Sequence, residues 1–405
     1  MTLIDRKKEL SLFQDFLKSV TKPWLLAIYG LNGLGKTSLL THFSDLVNTE
    51  YQVAFIDFSQ KNLCEDYQSI IEVLAECLSP IFPSRKFTEF RARLREITEG
   101  QKIIAQNTII ARYNSIINTP KQNINVYLNQ EKGREQLEEG REMARAWCQL
   151  LASAKKKPLL FLDHWEMLVE HGSMDFCPWM VEDILIKSHA QNPSLKVVLS
   201  SDHPPTADGF FGNVLKKNDY LLHVLEPMDR EYALAMLTRE GLTNGNLQEF
   251  IFERVGGNPL LLMLAVDLWR EQPDMDWSGL QRELDEHAYL DWLLGRIRQS
   301  MADERSLTAL SQGVVLKAWK LDMLKAICNR PDLTPDWYRG FISRSIVQDV
   351  WNRSGYKQFV RSVREIQLRQ LWFQDAQQFH QLHGRALDWF EEKEGYSEVH
   401  EPSAG

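Results

Sequence analysis

A doubly wound, mainly parallel α/β sheet followed by an all-helical half is the fold class this sequence predicts, and three observations predict it. An apolar run, Trp24 to Tyr29, leads straight into a glycine-rich loop and then a helical pattern from Ser38 to Phe43. Strand-like and helix-like segments alternate from there to residue 225, the pattern of a parallel sheet with helices on both faces. From Glu226 onward strand-like runs become scarce and helical spacing takes over.

Each element has its own signal. Residues 5–20 carry Leu10, Phe13, Leu17 and Val20 near one face, as an amphipathic helix does. Strand 24–29, the glycine loop and a helix over 36–47 follow. Tyr51 to Phe58 alternates like a second strand, and Ile70, Leu74, Leu78 and Ile81 align on a helix over 65–82. The stretch from about Ser84 to Gly133 is polar, rich in Asn and Gln, and basic at Arg85, Lys86, Arg91, Arg93, Arg95 and Lys102; it reads as a partly helical insertion with a solvated face. Helix returns over 134–154 and ends at Lys155-Lys156-Lys157-Pro158. Strand Leu159–Leu162, a helix over Val181–His189, strand Lys196–Leu199 and a last strand Tyr220–Leu225 complete the sheet. Beyond it, helices over 229–270 are separated by Gly241 and by Gly256-Gly257-Asn258-Pro259. Short helices over 287–375 surround a turn at Asn352-Arg353-Ser354-Gly355. A final helix, about 376–394, precedes a polar tail ending Glu401-Pro402-Ser403-Ala404-Gly405, for which disorder is expected.

The loop Gly30-Leu31-Asn32-Gly33-Leu34-Gly35-Lys36-Thr37 fits G-x-x-x-x-G-K-[ST] without a gap, in the strand–loop–helix context that gives the pattern its meaning. Glycines let backbone N–H groups converge on an anion, and the helix N-terminus adds unpaired N–H groups and a favourable dipole. The cradle would take in Gly30, Asn32, Gly33, Leu34, Gly35, Lys36, Thr37 and Ser38. Lys36 would reach the β- and γ-phosphates of ATP or ADP, and the Thr37 hydroxyl would bind Mg²⁺. A second metal-side group is needed, and Asp163, at the end of a buried apolar strand, supplies it. His164 follows Asp163 directly, so the acid that orients a water falls to Glu166, the alternative being that Glu166 caps a helix or pairs with a base. Ser200 or Ser201, at the end of the next strand, would sense the terminal phosphate or else cap the turn that follows, Ser201 being the nucleotide-binding candidate of the two.

In order along the chain, Asp5-Arg6-Lys7-Lys8-Glu9-Leu10, GLNGLGKTSLL, LLFLDHWE, VVLSSD, LEPMDREYALAML and GGNPLLLML resemble the STAND class of P-loop signal-transduction ATPases, relatives of NB-ARC modules and of bacterial regulators of the maltose-regulator type. The resemblance covers about residues 3–390. It implies an α/β P-loop NTPase core over 1–225 with the insertion at about 84–133, and a helical lid subdomain over 226–286 with the Gly-Asn-Pro motif. A winged-helix domain over 287–375 would follow, with Trp337–Val347 as its third helix, then a terminal helix and flexible tail over 376–405. It also implies that Pro259 packs near the adenine, that Arg6 approaches the nucleotide, and that ATP sits between core and lid. Exchange of ADP for ATP would rotate lid and winged helix and drive self-association. An effector or sensor protein would act in trans.

Two departures from the family pattern stand out. Asp202 occupies the place where many relatives carry an arginine at the end of the sensor strand, and Val360 stands in place of a winged-helix histidine. Both argue for slow hydrolysis and a weak ADP lock. The alternatives are a DNA-associated ATPase such as a loader or transposition regulator, using Arg339, Arg344 and Arg361, and a non-hydrolysing nucleotide-bound scaffold. The net charge of −8 gives no global basic character for nucleic acid. Apolar runs are short and the N-terminus lacks a long apolar core, so a cytoplasmic protein without membrane contact is expected. Five scattered cysteines without a C-x-x-C pair fit reduced thiols. His380 and His383, alone on a helix, read as packing residues rather than metal ligands.

Overall fold

A computed structural model describes residues 6–19, 22–47, 49–59, 62–113, 121–171, 175–205, 214–273, 286–300, 303–350 and 355–394. The chain divides into two compact units. One holds residues 6–31 and 36–225, and the other holds residues 32–35 together with residues 226–405. The wing-turn residues Asn352, Arg353 and Ser354, Trp351 and the tail lie outside the described residues.

The first unit is built on a five-stranded sheet, β1 (Leu25–Tyr29), β2 (Tyr51–Asp57), β3 (Lys157–Asp163), β4 (Lys196–Ser201) and β5 (Tyr220–Val224), in the order β2-β3-β4-β1-β5. Every pairing is parallel. β3 and β4 are near-continuous buried runs, as strands covered on both faces must be. On one face, α1 (Lys7–Lys18) buries Phe13 and Phe16. Phe13 stacks on Phe43 of α2 (Lys36–Leu46) at 4.2 Å, with Phe161 of β3 beneath it at 6.2 Å.

The other main core cluster gathers α3 (Asn62–Glu65), α4 (Tyr67–Leu78), α5 (Ser84–Tyr113), α6 (Lys121–Leu151) and α7 (Trp165–His171). After α8 (Phe176–Trp179) the chain widens into a π-helical stretch, Met180–Ile186, and tightens again into α9 (Lys187–Gln191). The buried Trp147 indole donates to Ser188 Oγ at 2.9 Å and so ties α6 to α9. Within the stretch 84–133 the helix resumes at Lys121 rather than 134, and Phe90, Leu94 and Ile97 of α5 are buried in this cluster. Over residues 84–99 the polar face of α5 is solvated, and those three residues are core.

The second unit begins with α10 (Arg230–Arg239), α11 (Gly245–Val255) and α12 (Pro259–Glu271). Asn244 and Asn258 cap α11 and α12, each side-chain oxygen accepting two backbone N–H bonds. Next come α13 (Glu286–Ser300), α14 (Glu304–Gln312), α15 (Leu321–Ile327) and α16 (Pro335–Ile342). An antiparallel pair, β6 (Val347–Asp349) and β7 (Lys357–Phe359), precedes α17 (Arg361–Gln374) and α18 (Ala376–Glu394). The helix expected over Trp337–Val347 stops at Ile342, and Val347 instead opens a strand. The Ser343–Ile346 backbone turns to bring Val347 opposite Phe359. Among the described residues no helix is long and apolar enough to cross a membrane. All five cysteines are free thiols.

Candidate functional site

β1 delivers the chain to Gly30, whose N–H donates to Ser201 O at 3.2 Å. Gly33 and Gly35 take φ of +85° and +87°, where a side chain would be strained. α2 starts at Lys36. Its buried ammonium donates to the carbonyls of Gly30 (2.7 Å) and Leu31 (3.0 Å) and lies 2.7 Å from Asp202 Oδ1. Asp202 comes directly after β4, whose Ser201 is level with Tyr29 of β1. Its backbone N–H is held by Glu166 Oε2 at 3.0 Å, and Glu166 is itself buried in the first turn of α7.

A second group of side chains surrounds the end of β3. Asp163 is fully buried. Its Oδ1 accepts from the Ser200 hydroxyl and, at 3.1 Å, from His164 N. His164 adopts a left-handed φ of +57°, which turns its ring toward β2. There Nδ1–H donates to Asp57 Oδ1 at 2.9 Å and sits 3.5 Å from Asp163 Oδ2. Register explains the meeting, because Asp57 and Asp163 are direct partners across β2 and β3. Burial opposes charge on the imidazole, but Asp163 and the hydrogen-bonded Asp57 outweigh it and push its pKa up to about 10. Asp57 is held below the usual carboxylate range: burial opposes this, and the His164 hydrogen bond outweighs it.

The remaining candidates lie as follows. Thr37 is half-buried in the first turn of α2, Ser38 is exposed beside it, and Leu34 is buried. Ser201 Oγ accepts from His203 N at 3.3 Å, so it closes the following turn. Arg6 is buried at the N-cap of α1, 4.0 Å from Glu9, and Glu9 in turn meets His223 of β5 at 3.1 Å. In the second unit Asn258 Nδ2 donates to Asn32 O at 3.0 Å, and Leu260 N donates to Gly33 O at 3.3 Å. A Cβ on Gly33 would come within 2.8 Å of Asn258 Oδ1. Pro259 occupies the first position of α12. Lys36, Asp202 and Glu166 thus form one connected set, and Asp163, Ser200, His164 and Asp57 a second. Asp57 and the counter-ion role of Asp202 were not legible in the sequence, because both depend on strand order.

A phosphate-binding loop after the first strand of a parallel sheet, with an aspartate closing a buried strand one position beyond its neighbour, defines the core of a P-loop ATPase. The sequence matches the family described as an ATPase domain predominantly from Archaea over residues 3–265, and the chain belongs to that family. Among solved structures, a signal-transduction ATPase (STAND) protein with a tetratricopeptide repeat sensor from Pyrococcus horikoshii shares the fold. Identity is 14% and the TM-score is 0.55, over 96% of this chain and 45% of that one. The chain therefore spans less than half the length of that protein. Weaker likenesses reach the Walker-type ATPase of Pyrococcus abyssi (13% identity, TM-score 0.40, 91% and 96% covered) and Cdc6p from Pyrobaculum aerophilum (12%, 0.39, 96% and 95%). No protein of curated function matches the sequence.

Membership in an ATPase family implies a bound nucleotide and, typically, Mg²⁺. The residues present fit both. Asp163 Oδ2 is a buried carboxylate oxygen without a hydrogen bond, as a group reserved for a cation or its water would be. The positive-φ glycines and Lys36 suit a polyphosphate. With Mg²⁺ bound, Thr37 and Asp163 would be its protein-side partners, and the ion would supply charge neutralisation at the phosphates.

Proposed function

We propose that this chain is an ATP-binding, slowly hydrolysing STAND-type switch, in which exchange of ADP for ATP drives self-association and regulates a partner effector. The observation that carries the reading is the Lys36 loop after β1 together with a buried Asp163 ending β3, one strand beyond β1's neighbour β4, within a chain whose fold extends along that of a STAND protein for 96% of its length. In this reading Lys36 and Thr37 hold phosphates and metal, Glu166 orients water, and Pro259 and Arg6 frame the base. A winged helix over 287–375 is supported by the order α14, α15, α16, β6, β7 and by an isolated antiparallel bridge that sets Trp319 against Lys357 of β7.

The basic residues of that region favour an internal role over DNA contact. Arg339 pairs with Asp336, Arg344 with Glu271, Lys357 with Asp349 and Arg361 with Glu365, while Arg364 donates toward the Val315 and Leu316 carbonyls. Arg344 and Arg361, largely enclosed, are poorly placed to release counterions from a duplex, whereas Arg339 is 72% exposed and its surface pair with Asp336 holds it only weakly.

The test is the mass of the protein in solution with ADP–Mg²⁺ and with ATP–Mg²⁺, beside Lys36→Ala. Assembly with ATP alone, abolished by Lys36→Ala, is the expected result. A species of unchanged mass in all four samples would refute self-triggered assembly.

A further inference from the structure

Lys36 is the group that a terminal phosphate must engage, and it is already engaged. Two of its three N–H bonds go to carbonyls of its own loop, and the charge is met by Asp202 at 2.7 Å. Both side chains are enclosed, with 7% and 11% of their surface exposed. Asp202 is not a loose surface acid, because Glu166 holds its backbone from α7 and β4 holds the residue before it.

We propose that Asp202 is a specificity-determining residue: as the resident counter-ion of Lys36, it makes the site discriminate against a nucleoside triphosphate in favour of a diphosphate. This rests on the nucleotide-binding reading above. Any anion that reaches the Lys36 ammonium comes within about 5–6 Å of the Asp202 carboxylate, since both then touch one nitrogen. A diphosphate brings fewer charges to that position than a triphosphate, so the repulsion falls mainly on the terminal phosphate. Enclosure weakens screening, so the penalty survives physiological salt. A triphosphate adds a terminal phosphate beside an ammonium already shared among the Gly30 and Leu31 carbonyls and the Asp202 carboxylate.

The experiment is calorimetric titration of the full chain with ADP–Mg²⁺ and with AMP-PNP–Mg²⁺, for the natural sequence, Asp202→Asn, Asp202→Ser and Lys36→Ala. Thermal unfolding identifies which variants are folded. The natural chain is expected to bind ADP more tightly than AMP-PNP. Asp202→Asn is expected to tighten AMP-PNP on the order of tenfold to a hundredfold while moving ADP by less than about threefold. Asp202→Ser should shift the ratio in the same direction, so a misfolded Asn variant does not spare the idea. An unchanged ratio in the folded variants, or weaker AMP-PNP binding, would overturn it. Binding of neither nucleotide by the natural chain would instead overturn the nucleotide reading itself, and this inference with it.

Discussion

Replacing His164 by Asn removes the imidazolium that stands between Asp57 and Asp163 while keeping a residue that tolerates a left-handed backbone. The side chains concerned are enclosed, His164 being 12% exposed and Asp163 1%. Breaking a buried ion pair from one side costs on the order of 3–5 kcal/mol, because a carboxylate is left without compensation. His164→Asn should therefore lower unfolding stability by about 3 kcal/mol at pH 7, the amide recovering part of the lost hydrogen bonding. Asp57→Asn on top of it should cost much less than it does alone, giving a coupling energy on the order of 1.5–3 kcal/mol in a double-mutant cycle. Urea denaturation of the four proteins without nucleotide measures this. The pH dependence has a fixed sign. A raised histidine pKa contributes stability that is complete below its ordinary value near 6.5 and is lost as pH climbs through about 10. Asp57, depressed, contributes above its own ordinary value and loses this on acidification. The gap between the natural protein and His164→Asn should thus close above pH 10. A coupling below about 0.5 kcal/mol at pH 7, or a gap indifferent to pH from 8 to 10.5, would refute the ion-pair account.

Three other substitutions probe separate parts of the argument. Gly257→Ala would set a Cβ 1.9 Å from the Met228 carbonyl oxygen, a backbone atom that cannot step aside, so the melting temperature should fall by an amount corresponding to about 1–3 kcal/mol or more; an unchanged melting curve would show that the backbone there yields. Asn258→Ala removes the cap of α12 and the bond to Asn32 O, and should cost about 1–2 kcal/mol with faster amide exchange at Leu260 and Leu261; protection unchanged at both amides would dismiss the cap. Glu166→Gln keeps an oxygen for the Asp202 N–H, so nucleotide binding should persist while any hydrolysis drops by roughly 10²-fold or more; full turnover in this variant would leave Glu166 with only its structural bond.

The phosphate loop, the strand carrying Asp163 and the final helix were legible because each is written locally, in spacing and apolar runs. The residues that complete the site were not. Asp57 and His164 are 107 positions apart and meet only because β2 and β3 are neighbours in a register that sets Asp57 against Asp163. Sequence spacing holds no record of that register. The buried stripe of α5 escapes sequence reading for a different reason. Phe87, Phe90, Leu94 and Ile97 recur at helical spacing, and the surrounding charge hid a stripe that was present. Three-residue strands such as β6 and β7 are too short to show a period, so nothing local in the sequence opposes the helix that the family resemblance implies up to Val347.

The end of β4 sets a limit on how this chain can change. Ser200, Ser201 and Asp202 are consecutive, and each answers to a different neighbour: the Asp163 carboxylate, the turn amide of His203 and the Lys36 ammonium. Successive side chains on an extended backbone point to opposite faces. Deleting or inserting a single residue in β4 would hand every one of these duties to the wrong side chain at once. Substitutions at this strand end can be accommodated one by one, whereas changes of length cannot, so length variation among descendants of this sequence should fall outside the six residues of β4.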